Sequence, residues 1–403
     1  MANCTSPWTP SRSAAVDALE GFLPRVPAYA QERNFDRAGH AEVSRLSPYL
    51  RCRLISEEEV VTRVLGEHSF ERAEKFVQEV AWRTYWKGWL DRNAAVWHSF
   101  VMRAAALEQE SGIAPWGAQY NAALRGETAL SCFNDWVNEL TSTGYLHNHA
   151  RMWFASIWIF TLKLPWQLGA LFMYRNLLDG DPASNTLSWR WVAGLQTRGK
   201  SYLARADNIE KYSEGRWRPK DNELAGEAFP VPDDAIPRPE PNALPPLPSC
   251  PPDAQGVGLL MTPDDLSIDL EYRASLSLSH VALVTPRNLL GEAEHVTAFR
   301  AEACSDSAQR LEASLGRPVA RISSPGGLAE WAHCNSLRGV AFAQPPTGPQ
   351  HIARDDLSAL KLPLYRVERG WDAWLMPYAS RGFFPFWESA GKLIQRHSGY
   401  PVA

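Results

Sequence analysis

The stretch that decides the fold runs from Gly144 to Trp191 and reads GYLHNHARMWFASIWIFTLKLPWQLGALFMYRNLLDGDPASNTLSWRW. It contains five tryptophans, yet polar residues recur inside it. Asn148, Arg151 and Met152 stand three and four residues apart, so on a helix they share one face. Burying Asn and Arg on that face costs free energy unless other polar groups pair with them.

Two carboxylates downstream are candidate partners for this face. Asp179 and Asp181 flank Gly180, and Arg151 can form a charge-assisted hydrogen bond with either of them. On residue chemistry alone, we interpret the stretch as an amphipathic helical hairpin with an ordinary structural ion pair, because such pairs are common.

Four pieces of the stretch resemble the flavin-binding core of the photolyase/cryptochrome family. They are G-Y-L-H-N-H-A-R-M, P-W, L-L-D-G-D-P-A-S-N and S-W-R-W, in the family's order and spacing. The similarity extends from about Tyr29 to Arg218. It implies a multidomain protein with an all-α FAD-binding domain, FAD as the cofactor, and blue-light-driven chemistry.

A second motif, Ser44-Arg-Leu-Ser-Pro-Tyr-Leu-Arg51, places hydroxyl and arginine side chains at the start of a helix. Such a helix start suits an anion, although an ordinary serine cap is the simpler explanation of the motif alone. The resemblance implies that this motif holds the FAD pyrophosphate and that Asn185 lies beside the reactive flavin nitrogen. The cofactor-binding residues that it implies are Tyr29, Ser44, Arg45, Leu46, Ser47, Phe76, Arg83, Asn148, Arg151, Asp179, Gly180, Asp181 and Asn185.

Residues 70–92 predict one helix with an aromatic stripe in which a carboxylate and a guanidinium are embedded. The simple interpretation is a core stripe, with Glu79 and Arg83 as a surface pair worth roughly 0.2–0.5 kcal/mol. In the resembling E-x-x-W-R motif of the family, Trp82 stacks on a damaged pyrimidine pair and Glu79 hydrogen-bonds to it. Just upstream, Ser56 and Glu59 form a capping box that predicts another helix start.

Two tryptophans of the opening stretch, Trp189 and Trp166, match the inner members of the family's electron relay. The alternative is that both are only buried aromatic residues. Trp116 is a candidate for the outer member. The catalytic residues that the resemblance implies are Glu79, Trp82, Asn148, Met152, Asn185, Trp166 and Trp189.

Two function classes remain open on the sequence. The retained motifs favour a deoxyribodipyrimidine photolyase, a carbon–carbon lyase that repairs DNA containing pyrimidine dimers by electron transfer from reduced FAD. Two segments depart from the family pattern: residues 124–131 lack a Gly and a Pro of a glycine-rich element, and Ala204–Asn208 replaces an R-x-F-N-P element. These departures favour a cryptochrome-like blue-light photoreceptor that acts on a protein partner without repair activity.

Composition excludes several other classes. Charged residues make up 21% of the chain and the net charge is −4, as in ordinary globular proteins. The six cysteines contain no C-x-x-C pair, which argues against a zinc site, an iron–sulfur cluster or a disulfide framework, so we expect no metal. No apolar run reaches the roughly 18 residues of a membrane span. We therefore expect a soluble, cytoplasmic protein without membrane contact.

The pattern changes in the second half of the chain. Ten prolines between residues 229 and 252 predict a semi-rigid linker between a helical domain (1–228) and a second domain (253–403). In the second domain, short apolar runs alternate with helical segments, which predicts a small parallel α/β sheet. The runs are Gly256–Met261, Val281–Val284, Val319–Ile322, Gly339–Phe342 and Leu364–Val367.

This second domain loosely resembles the antenna domain of the family, which usually precedes the flavin domain. Leu259–Leu266 resembles its first strand and turn, and Gly382–Phe386 the aromatic element that ends it. We interpret the order as circular, with an antenna-like domain moved to the C-terminus; an unrelated α/β domain is the alternative. The resemblance also implies a second, antenna chromophore, whose identity the sequence leaves open.

Overall fold

The computed structural model describes residues 7–197, 199–232, 247–251, 255–272 and 280–397. Within them the chain forms a helical domain followed by an α/β domain with a parallel sheet, which confirms the predicted fold class. The helices of the first domain are α1 (Arg12–Phe22), α2 (Tyr29–Glu32), α3 (Ser47–Arg51), α4 (Glu57–Glu67), α5 (Phe70–Arg92), α6 (Ala94–Glu110), α7 (Gly117–Leu124), α8 (Ser131–Thr143), α9 (Asn148–Ser156), α10 (Trp166–Asn176), α11 (Pro182–Val192) and α12 (Ala206–Tyr212).

A local sequence signal defines the start of α4. The hydroxyl of Ser56 accepts a hydrogen bond from the backbone N–H of Glu59 (3.2 Å), and the Glu59 carboxylate accepts one from the backbone N–H of Ser56 (2.8 Å). The predicted capping box is therefore present at the start of α4. Helix α5 covers the whole of residues 70–92, as the aromatic stripe predicts.

The opening stretch begins at a glycine that the backbone requires. Helix α8 ends at Gly144 in the left-handed conformation, with φ of +73°. A Cβ atom at this position would lie 2.6 Å from the side chain of Leu178. Both conformation and space therefore demand glycine here. The chain then enters α9, a π-helical turn at Ile157–Thr161, α10 and α11.

Five strands form one parallel sheet in the order β3-β2-β1-β4-β5. They are β1 (Val257–Met261), β2 (His280–Val284), β3 (Ala320–Ile322), β4 (Gly339–Ala343) and β5 (Leu364–Val367), in agreement with the five apolar runs. Strand β1 starts one residue later than predicted because Gly256 has φ of +72°, outside the extended region. The helices of this domain are α13 (Ile268–Tyr272), α14 (Glu294–Leu315), α15 (Pro325–Cys334), α16 (Arg354–Ser358), α17 (Gly370–Leu375) and α18 (Phe383–His397).

The two domains meet at a buried, charge-rich interface. Arg53, two residues after the end of α3, contacts Asp265 (Nη1–Oδ2, 3.2 Å) and Asp372 (Nη2–Oδ2, 2.6 Å) of the α/β domain, and Glu57 of its own domain (3.1 Å). Arg369 binds the same Asp265 at 2.6 Å. All five side chains are buried. This network joins the helical and α/β domains through specific ion pairs.

Two further predictions from the sequence concern the linker and membrane-spanning helices. Residues 233–246 and 252, most of the proposed linker (229–252), lie outside the described residues, so the domain boundaries stay predictions. In the described ranges, no helix combines the length and the apolar character needed to cross a membrane.

Candidate functional site

The central ion pair of the candidate site lies between Arg151 of α9 and Asp179, in the turn that precedes α11. The Arg151 guanidinium donates to Asp179 (Nη2–Oδ2, 3.0 Å), while its Nε donates to the carbonyl of Leu146 (2.8 Å). Asp179 is buried, and its second oxygen, Oδ1, has no hydrogen-bond partner in the described part of the chain. Of the two carboxylates that the sequence offers to Arg151, Asp179 is thus the one that pairs.

Asp181 has a different role in the same turn. Its carboxylate caps α11 by accepting a hydrogen bond from the backbone N–H of Ser184 (2.8 Å). Burial alone would raise the pKa of Asp181, but the positive charges of Lys87, Arg83 and Arg51 outweigh it and lower that pKa. Asp181 is therefore a buried carboxylate surrounded by cations from α3 and α5.

Arg83 supplies hydrogen-bond donors that the described protein groups leave unused. Its Nε and Nη2 atoms are buried and lack a partner among the described residues. Buried guanidinium donors normally find acceptors, because leaving them unpaired costs free energy. Together with Asp179 Oδ1, these atoms provide donors and an acceptor that suit a polar cofactor, so the residues present fit FAD.

Asn185 lies one turn into α11 and is buried. Its side-chain nitrogen donates to the backbone carbonyl of Ala170 in α10 (2.8 Å). This hydrogen bond orients the amide. The amide oxygen can then accept a hydrogen bond from another donor.

The Ser44–Ser47 segment has a strained backbone. Arg45 adopts φ of +55°, a left-handed conformation that is uncommon outside glycine. Its guanidinium lies 4.5 Å from the ring centre of Trp8, and its Nε is buried without a partner in the described chain. Leu46 is buried, and α3 begins at Ser47, where the motif predicts a helix start. The ordinary serine cap is wrong, because Leu46 occupies the N-cap position and no side chain of the described residues makes a capping hydrogen bond to this helix.

The rings of Tyr29 and Phe76 are in direct contact. Their ring centroids are 5.2 Å apart in an edge-to-face arrangement, and Phe22 contacts both rings. Phe76 belongs to the buried core. Both predicted cofactor residues therefore lie in one aromatic cluster between α1 and α5.

The two residues predicted to face a damaged base have protein partners in this structure. The Glu79 carboxylate pairs with Arg33 (2.7 Å) and Lys75 (3.0 Å). The Trp82 indole stacks on Phe383 of α18, with ring centroids 3.4 Å apart and planes 7° from parallel. Phe383 is absent from the sequence-based site, because the only signal for it was an aromatic element at the end of the second domain.

The remaining lesion-facing candidates lie on α9. Asn148 is the first residue of this helix and is exposed, and Met152 is half-buried. Asn148 is therefore open to solvent, unlike the buried Asn185.

The ring contacts of the tryptophans do not follow the predicted relay from Trp189 to Trp166. The Trp189 ring contacts Trp158 (6.3 Å between centroids), Trp158 contacts Tyr120 (6.0 Å), and Tyr120 contacts Trp116 (5.9 Å). Trp166 instead stacks on Phe100 at 5.7 Å. Sequence reasoning missed Trp158, although it lies in the opening stretch.

A second missed feature is a buried histidine pair beside Tyr145. His40 lies 2.6 Å from Glu139 and 3.2 Å from Asp36. Burial would lower the pKa of His40, but bonding to Asp36 and Glu139 raises it to about 9. The His147 ring stacks 5.9 Å from it, and burial lowers the pKa of His147 to about 4. One imidazole is therefore charged and the other neutral at pH 7.

Known proteins match the helical part of the chain. Residues 76–216 match a family model described as the FAD binding domain of DNA photolyase. A deoxyribodipyrimidine photo-lyase of Thermus thermophilus is 32% identical over 216 residues, covering 52% of this chain and 49% of that protein. That of Streptomyces griseus is 33% identical over 207 residues, covering 48% of this chain and 43% of that protein.

Solved structures match over a similar share. A bacterial class III photolyase from Agrobacterium tumefaciens aligns with a TM-score of 0.40 and 26% identity, over 52% of this chain and 44% of that one. A cryptochrome from Synechocystis aligns with a TM-score of 0.43 and 20% identity, over 50% and 43%. The chain spans about half the length of the relatives it matches. Residues 76–216 are thus similar to the FAD binding domain of DNA photolyase.

Proposed function

We propose that the helical domain binds FAD and that the protein is a light-driven, photolyase-type DNA repair enzyme. The observation that carries the proposal is the charged turn at the start of α11. There Arg151 pairs with Asp179, and Asp181 lies among cations that include Arg83. The free donors of Arg83 and the free oxygen of Asp179 supply the polar contacts that a flavin nucleotide needs.

The chain's own residues then have distinct tasks. Bound, reduced FAD would supply, after light absorption, the electron that opens a pyrimidine dimer, and would take that electron back once the dimer has split. Asn185, oriented by the Ala170 carbonyl, presents its amide oxygen toward the cofactor. Trp189 conducts electrons from outside, either through its ring contact with Trp158 or through Trp166, which stacks on Phe100. These assignments rest on the match to the FAD-binding domain of DNA photolyase and on the motifs of the opening stretch.

The damaged base needs a site of its own, because the lesion must leave the DNA stack before it can reach a buried flavin. Glu79 and Trp82 lie one turn apart on α5, and both keep part of their surface exposed. The Glu79 carboxylate offers acceptor oxygens to a base N–H, and the indole of Trp82 offers a stacking surface. The relatives named deoxyribodipyrimidine photo-lyase support this choice of substrate.

One experiment on the purified chain tests the proposal. The protein should retain FAD through gel filtration. After chemical reduction and blue light, it should restore thymines in a single-stranded oligonucleotide that carries a cyclobutane dimer, while a dark sample should not. Trp82→Ala should weaken dimer binding by about 1–3 kcal/mol, the value of one stacked base.

Each failure has a separate meaning. Protein that takes up no added FAD would contradict the whole proposal. Protein with a full complement of FAD that repairs no dimer would contradict the repair function and favour a photoreceptor with a protein partner.

A further inference from the structure

Helix α18 of the α/β domain contributes a ring to the proposed lesion site. The Phe383 ring lies parallel to the Trp82 indole, 7° from coplanar, with 3.4 Å between centroids. Trp82 itself is half-buried, whereas Phe383 is only 4% exposed. One face of the indole is therefore covered by a residue from the other domain.

Phe383 is held in place by the packing of α18 on α5. It belongs to the apolar face of α18 with Phe386, Ala390 and Ile394, all of which are buried. The Tyr85 hydroxyl of α5 donates to the carbonyl of Arg381, next to the start of α18 (2.8 Å). Removing Phe383 from Trp82 would expose this apolar face to water, so Phe383 is a fixed wall rather than a lid.

The other neighbours of Trp82 do not cover the indole in the same way. Tyr85 contacts it edge-on at 83°, and Trp86 is tilted by 37°. Neither ring stacks parallel to the indole. Because Phe383 covers one face of the indole, a flat base that stacks on Trp82 would have to use the opposite face.

We propose that Phe383 is a positioning residue for the damaged base: it fixes the plane of Trp82 so that a flipped pyrimidine dimer stacks on the opposite face. This inference rests on the proposed repair function. It makes the α/β domain part of the lesion site. A substrate contact made by Trp82 then depends on a residue that lies about 300 positions later in the chain.

The test measures dark binding of the FAD-loaded chain to a single-stranded oligonucleotide with one cyclobutane thymine dimer, at fixed salt. Phe383→Leu should raise the Kd for the dimer by about threefold to tenfold, as expected for the loss of one aromatic stacking contact. The Kd for the undamaged oligonucleotide should stay unchanged. The emission of Trp82, taken as the difference between each protein and its Trp82→Phe variant because the chain contains 17 tryptophans, should shift, since the ring that covers one indole face is lost.

Phe386→Leu is the matched control. Phe386 is fully buried on the same face of α18 and contacts Tyr85 and Phe383, but it has no ring contact with Trp82 among the described residues. Phe386→Leu should leave the dimer Kd within twofold. Equal losses in the two variants, or no loss in Phe383→Leu, would overturn the inference while the repair function stands.

Two further variants complete the design. Where Phe383→Leu does not fold, Tyr85→Phe removes only the hydrogen bond to the Arg381 carbonyl and should raise the dimer Kd about threefold. A Kd within twofold of the wild-type value in that variant would overturn the inference. Trp82→Ala with wild-type dimer binding would overturn the proposed lesion site itself.

Discussion

At the scale of single residues, Arg151 shows what spacing along the chain leaves undecided. Asp179 and Asp181 are two residues apart, so both are within reach of one guanidinium. The backbone of the turn decides between them: Gly180 passes so close to Tyr174 that a Cβ would lie 2.6 Å from the Tyr174 carbonyl oxygen. This close turn directs Asp179 to Arg151 and Asp181 to the N-terminus of α11.

Asp179→Ala tests this pair directly. The variant leaves Arg151 without its carboxylate. Because Arg151 is partly exposed, the cost should be about 1–3 kcal/mol, below the 3–5 kcal/mol of a fully buried pair. The same loss in the free energy of FAD binding corresponds to about fivefold to 150-fold weaker binding, measured by flavin fluorescence titration of the apoprotein.

Asp207→Ala is the matched control for this prediction. It makes the same substitution in the Asp207–Arg205 pair, which is largely exposed (2.7 Å). The affinity for FAD should stay at the wild-type value. Equal losses in both variants would mean that Asp179 does not act through the cofactor site.

At the scale of elements, Gly169 explains how α10 and α11 pack. A glycine inside a helix costs about 1 kcal/mol relative to alanine, and the sequence alone gives no reason for it. In the structure, a Cβ on Gly169 would lie 2.3 Å from the Trp189 ring and 2.9 Å from the Trp158 ring. Glycine at this position allows α10 to approach both tryptophans.

Gly169→Ala should therefore lower the free energy of unfolding, by about 1–3 kcal/mol, because overpacking outweighs the better helix propensity. Gly66→Ala in α4 is the control, since a Cβ at Gly66 meets no atom within 4 Å. That variant should be more stable than the wild type by up to about 1 kcal/mol. Denaturant titrations of both give the comparison. A stabilised Gly169→Ala variant would show that the tryptophans can move aside.

Elements whose signals are local could be predicted from the sequence. Three features are of this kind: the capping box at Ser56, the helix over 70–92 and the five strands. Each depends on residues that are near one another in the sequence and belong to the same element. The stacking of Phe383 on Trp82 could not be predicted, because periodicity relates neighbours along a chain and not residues in different domains. The site residues whose roles depend on FAD stay predictions.

At the scale of the whole molecule, buried charge specifies how the domains dock. Arg53, Asp265, Asp372 and Arg369 are buried at the interface, and a shifted arrangement would leave some of these charges unpaired in a low dielectric. The circular-order hypothesis requires a parallel sheet that contacts the helical domain, and both features are present. The correspondence with the family's antenna domain stays a prediction.

This interface makes stability depend on acid. Burial alone would raise the pKa of Asp265, but Arg369 and Arg53 outweigh it and lower that pKa below its ordinary value of 3.8. Asp264, which pairs with Arg51 at 2.8 Å, has a lowered pKa for the same reason. A carboxylate with a lowered pKa contributes stability above the pKa of the unfolded chain, and that stability is lost as the pH falls through the folded value.

Asp265→Asn is the variant that isolates this effect. At pH 7 it should lower the free energy of unfolding by about 3–5 kcal/mol, because Arg53 and Arg369 lose a buried charged partner. As the pH falls below about 4, the wild type should lose stability faster than the variant, and the two curves should converge. Glu20→Gln, in an exposed pair with Arg63, should follow the wild-type curve at every pH, because solvent screens that pair. If the free energies of unfolding of wild type and Asp265→Asn fall in parallel down to about pH 3, the Asp265 carboxylate does not titrate with unfolding. The interface would then be held by packing such as that of α18 on α5.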